Sequence, residues 1–114
     1  NLAVVANEIF NCFGSNKPEI RTQAELLFDS IANSIETWML FQHLCNGSIY
    51  GIQKARPVIL EKLVAVSERV YQKKPLIYGK NIYNTLNKLL DENRPDLQNG
   101  LQQLAESCRE LVGN

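Results

Sequence analysis

The chain has 114 residues, 45% of them hydrophobic, and its 12 basic residues balance its 12 acidic ones. That length suits one domain with a buried core, and that apolar content excludes a disordered chain. With zero formal net charge, affinity for a charged partner has to come from where charges cluster, which disfavours non-specific nucleic-acid binding.

Leu2, Val5, Ala6, Ile9 and Phe13 recur at helical spacing and predict a helix over 2–13, closed by Gly14-Ser15. The pattern is already under way at Leu2, without a capping residue or a secretory signal, so the chain is expected to be a piece of something longer. A second helix is predicted over 17–33, with Ile20, Ala24, Leu27 and Ile31 inward and Arg21, Glu25 and Asp29 toward solvent. Asn16 is expected to cap it, with Pro18 in its first turn and Glu19 in the positive end of its dipole. The short connection makes the two an antiparallel pair.

Residues 36–45 are apolar on most sides and predict a short helix packed deep between neighbours, ended by Asn46-Gly47-Ser48. That triplet also matches a glycosylation acceptor, but without a secretory signal it is more simply a turn. Residues 49–53 fit either a loop or an extra helical turn. A helix over 56–73 follows, with Ile59 or Leu60, then Leu63, Val66 and Val70 inward. The next spans 75–90 and carries Tyr78, Ile82, Leu86, Leu89 and Leu90, and Gly79 weakens its first turn. Asp91-Glu92-Asn93 forms a turn before a last helix over 94–111, with Leu97, Leu101, Leu104, Cys108 and Leu111 inward and Gly113 as its stop. Period-two alternation is missing over any useful length, so no sheet is expected.

Two stretches at opposite ends are near copies: Asn16-Lys17-Pro18-Glu19-Ile20-Arg21 and Asn93-Arg94-Pro95-Asp96-Leu97-Gln98. Between them, Lys54-Ala55-Arg56-Pro57-Val58-Ile59 keeps the base-then-proline pair. Pro18, Pro57 and Pro95 therefore recur at intervals of 39 and 38 residues, a helical-repeat period. The fold expected is all-α: one domain over 1–114, an α-solenoid of about three antiparallel helix pairs at roughly 1–35, 36–73 and 74–114. Each pair needs the next to cover its apolar sides, so the first pair should present an open apolar flank.

Chemistry is not expected. Cys12, Cys45 and Cys108 are odd in number, lack C-x-x-C spacing and lie in or beside apolar runs, which fits reduced thiols in a cytosolic protein. The one histidine, His43, sits on an apolar helix with no base or ligand set around it in sequence. Asp91-Glu92 and the Glu25/Asp29 pair look like solvated helix surface, and no phosphate-binding glycine loop occurs. Phe10, Phe13, Phe28, Trp38 and Phe41 fall on apolar stripes and are expected in the core, while Tyr50, Tyr78 and Tyr83 are open between core and surface. The chain is expected to be no enzyme, to hold no cofactor or metal, and to bind neither nucleic acid nor membrane.

What remains is a rim. In stacked pairs, equivalent turns line up, which would gather Lys17, Lys54, Arg56 and Arg94 against helix starts as a site for an acidic protein surface. The plainer alternative is that each base is merely solvated.

The base-then-proline signature at this period resembles HEAT repeats. Three further stretches narrow the resemblance: Trp38-Met39-Leu40-Phe41-Gln42-His43-Leu44-Cys45, the segment from Glu61-Lys62-Leu63-Val64 to Val70-Tyr71-Gln72-Lys73-Lys74-Pro75, and the long last pair. In that order the chain is similar, over nearly its whole length, to the second half of a TOG domain, most like those of the TOG array regulators of axonemal microtubules (the crescerin group). The resemblance implies a flat HEAT-repeat paddle that binds tubulin through its intra-repeat turns, in the cytoplasm and cytoskeleton and, for this group, the cilium, axoneme or centrosome. Basic residues of later turns meet α-tubulin in the family, which implies that role for Lys17, for Lys54 or Arg56, and for Arg94. Trp38 does not match the family's turn tryptophan, because it lies on an apolar helix. The family's first half is missing here, which implies weak tubulin binding at best. The alternative is a HEAT-repeat scaffold that binds a different protein and not tubulin.

Overall fold

A computed structural model of the chain describes residues 2–70, 75–92 and 95–107. Among these residues there are six α-helices, one 3-10 turn and no strand, so the expected all-helical class holds. The helices are α1 (Leu2–Phe13), α2 (Pro18–Ala32), α3 (Thr37–Tyr50), α4 (Arg56–Val70), α5 (Pro75–Leu90) and α6 (Gln98–Ser107), with the 3-10 turn at Pro95–Leu97.

Short connections reverse the chain within each pair, so α1 packs on α2, α3 on α4 and α5 on α6. Helices two apart in sequence order also meet: α1 touches α3, α3 touches α5, and α4 touches α6. The extents are 42 × 32 × 19 Å, and the short axis is that of two helix layers at about 10 Å each.

The core is continuous through α4. Ile59, Leu60 and Leu63 are fully enclosed, because α3 lies on one side of that helix and α6 on the other. Both candidates for its first core position are thus inward. Phe10, Phe13 and Phe28 form an aromatic triangle between the first two helices, with centroids 5.9 to 6.3 Å apart. Phe41 and Leu44 of α3 and Ile82 and Leu89 of α5 carry the core into the later pairs, each full burial contributing about 1.5–3 kcal/mol. Leu97 and Leu101 close it from the last pair.

Several expectations need correction. Asn46-Gly47-Ser48 does not end α3, which continues to Tyr50 and is capped by Gly51, whose N–H donates to the Gly47 carbonyl at 2.8 Å. Gly47 is a packing residue: a Cβ there would lie 2.9 Å from Cδ2 of Phe10, so glycine lets α3 approach α1. Gly100 does the same for α6, where an added Cβ would lie 2.6 Å from Cδ2 of Leu60.

The stripe of α2 is also rotated. Ala24 and Phe28 are buried and Ile31 is half-buried, while Leu27 is 50% exposed and Ile20 39%. Arg21 and Glu25 are not simply solvated. Arg21 Nη1 donates to the Ser15 carbonyl at 2.7 Å, and Glu25 pairs with Lys62 of α4 at 2.8 Å. The cap of α2 is Lys17, extended at φ −94° and ψ 115°, with Pro18 first in the helix. Asn16 lies one residue too early to cap and its side chain turns elsewhere. The ends expected at 71–73 and 108–111, and the inward placement of Val70, Leu86, Leu90 and Leu104, lie outside what is described.

Candidate functional site

The three turns within the helix pairs are tied to one another by side chains. At the first, Lys17 N–H donates to Ser15 Oγ at 3.1 Å, and the Arg21 guanidinium braces the Ser15 carbonyl from below. Lys54, in the second turn, donates from Nζ to Asn16 Oδ1 at 2.8 Å, across 38 residues of sequence. Beneath the second turn, Arg56 reaches the third, its Nη2 donating to Glu92 Oε1 at 2.7 Å across 36 residues. A weaker contact repeats the offset of 38: Lys88 Nζ lies 3.4 Å from the Tyr50 hydroxyl and 5.8 Å from its ring centroid.

Arg56 is therefore not a rim residue. It is 6% exposed, and its Nε donates to the Ser48 carbonyl at 2.8 Å. As the first residue of α4 it points under the turn to the C-terminal end of α3, where the helix dipole favours a cation, and the Glu92 carboxylate offsets the rest of its desolvation. Of the four expected cations, Lys17 and Lys54 are exposed at adjacent turns. Arg94 lies outside the described residues. Sequence reasoning missed Asn16 and Glu92 as the residues that join turns. For Asn16 the available signal was its spacing of 38 from Lys54, which equals the interval between prolines; the spacing of 36 between Arg56 and Glu92 gave no such signal.

Among the described residues, groups capable of chemistry are dispersed. His43 is half-buried and lines a small cavity with Ile9, Phe10, Phe28 and Leu40, without a carboxylate in the lining. Cys45 is buried, and burial pushes its thiol up to about 11, against the smaller opposing effect of a hydrogen bond with Thr85. A thiol so held is a poor nucleophile near neutrality. Among the described residues, no three of His, Cys, Asp and Glu converge as metal ligands.

Phe10, Phe13, Phe28 and Phe41 are core residues, and half-buried Trp38 stacks on Phe41 with centroids 6.2 Å apart. Tyr50 is 72% exposed and Tyr83 is exposed as well. The Tyr78 side chain lies outside the described residues. No described helix is long and apolar enough to cross a membrane.

A second surface feature lies on the first pair. Val5 of α1, 41% exposed, faces Ile20 and Leu27 of α2 across a groove whose lining includes Ile9, Cys12 and Ala24. Glu8 and Glu19 are the charged residues of that lining. This is the open apolar flank expected of the first pair.

The chain matches no protein-family model, no curated protein and no solved structure.

Proposed function

We propose that the chain is a HEAT-type, TOG-like module, an α-solenoid of three helix pairs, that binds tubulin or the microtubule lattice along the edge of its intra-pair turns. The observation that carries this reading is the bond from Lys54 Nζ to Asn16 Oδ1 at 2.8 Å. Those residues stand 38 apart in sequence, the bond brings the first and second turns together, and Lys17 and Lys54 are both exposed there. Adjacent cations on helix starts suit an acidic protein surface, where they raise association rates and set register. Arg56 supports the edge from beneath, and Arg94 is the base that the sequence repeat assigns to the third turn. The module carries no chemistry of its own and acts in the regulation of microtubule dynamics, in the cytoskeleton and the cilium.

The test is co-sedimentation of the chain with microtubules and gel filtration with tubulin dimers. Replacing Lys17 and Lys54 together by Ala should weaken binding about 2- to 30-fold, from ~0.2–1 kcal/mol for each exposed charge pair. Helical circular dichroism should not change. Binding that is absent in the unaltered chain, or unaffected by the double substitution, overturns the tubulin reading in favour of a scaffold for another protein.

A further inference from the structure

We propose that the groove between α1 and α2 receives an amphipathic helix with basic flanks, contributed by a protein partner. The inference does not depend on the tubulin reading and uses none of the turn residues. Val5, Ile20 and Leu27 stand open together along one trough, rather than singly on the surface. The lining runs from Val5 to Cys12 on α1 and from Glu19 to Leu27 on α2, about 10–12 Å of helix, which is one i, i+3 or i+4, i+7 span of a docked helix.

Charge selects the occupant. Glu8 stands on the α1 wall and Glu19 on the α2 wall, both are exposed, and neither has an ion pair among the described residues. The other acid near the middle of α2, Glu25, is spoken for by Lys62. An apolar floor between two unpaired carboxylates fits a helix whose apolar face is bordered by Lys or Arg on both sides. A second copy of this chain fits poorly, because a two-fold contact would bring the Glu8 and Glu19 carboxylates of both copies into one poorly hydrated interface. An anionic lipid surface is repelled by the same two residues.

Cys12, half-buried in the groove, provides a reporter that buried Cys45 does not. The experiment uses the full chain and two synthetic helical peptides with the same Leu/Ile face, one flanked by Lys and one by Glu. Binding is read by fluorescence anisotropy, and alkylation of Cys12 by N-ethylmaleimide is followed by mass spectrometry. The Lys peptide should bind at least about tenfold tighter than the Glu peptide and slow Cys12 alkylation. Glu8→Lys with Glu19→Lys should reverse that preference, and Leu27→Asp should abolish binding of both peptides. Lys17→Ala with Lys54→Ala should leave peptide binding intact, whatever it does to tubulin binding. Equal affinity for the two peptides, or binding without protection of Cys12, overturns the proposal. So does self-association of the chain that Leu27→Asp abolishes, which would assign the groove to a second copy.

Discussion

Arg56 and Glu92 are 36 residues apart in sequence, and their side chains meet at 2.7 Å beneath the turns of the second and third helix pairs. The Arg56 side chain is 7% exposed and that of Glu92 35%, so the pair is buried at one end and wet at the other. Removing the carboxylate strands a buried guanidinium that keeps only the Ser48 carbonyl and the end of α3. Glu92→Ala should therefore cost about 2 kcal/mol, below the range for a fully buried pair because water reaches Glu92. Arg56→Ala should cost a similar amount, and the double substitution clearly less than the sum of the two. Urea unfolding of the four proteins measures the coupling, and strictly additive losses would contradict it.

Lys62 provides a contrast. It pairs with Glu25 at 2.8 Å and lies 5.8 Å from the Phe28 ring centroid, but Glu25 is 45% exposed. Lys62→Ala should cost only about 0.5–1 kcal/mol. Raising salt to 1 M should remove part of the difference, because the ion pair is screened while the packing of the lysine stem is not.

Gly47 gives a steric prediction. Alanine there gains up to about 1 kcal/mol of helix propensity, but its Cβ meets Phe10 at 2.9 Å, and overpacking costs about 1–3 kcal/mol. Gly47→Ala should lower the thermal midpoint, and pairing it with Phe10→Leu should recover part of the loss. A raised midpoint for Gly47→Ala alone would show that α1 and α3 part without cost.

Cys45 sets a pH dependence. Its thiol stands at about 11 in the fold against an ordinary value of 9.0. Between these values the unfolded chain has lost its proton while the folded chain keeps it, so the unfolded state binds fewer protons and stability falls as pH rises. The contribution is complete below pH 9 and declines through pH 11, by about 3 kcal/mol in total. The unfolding free energy of the chain should drop more steeply from pH 8 to pH 10.5 than that of Cys45→Ala. Parallel curves would refute the assignment.

Much of the helical layout was written locally. The bounds of α1 and α2 and the starts of α4 and α5 follow from apolar spacing and from prolines tolerated only in a first turn, and those signals act within a few residues. The repeat period also carried spatial information, since Asn16 and Lys54 touch across one period. Local signals misled where a neighbouring helix decided the outcome. Asn46-Gly47 has turn chemistry, yet α3 runs through it because Phe10 of α1 fills the space a side chain would need. In α2, Ala24 and Phe28 meet α1 while Leu27 is left on the open flank, a choice between adjacent residues that periodicity alone cannot make.

The same holds for the candidate site. Sequence alone determined that a base precedes proline at Pro18, Pro57 and Pro95, at intervals of 39 and 38 residues, and that such prolines belong near a helix start. Which of those bases faces solvent was decided only by the tertiary structure. Lys54 bonds sideways to Asn16 and stays exposed, whereas Arg56, two residues later, turns under the chain to a carboxylate in the next pair. A guanidinium leaves water only where the rest of the fold supplies an opposite charge and an acceptor; here the acceptor is Ser48 at the end of the preceding helix, and the charge comes from Glu92, 36 residues away.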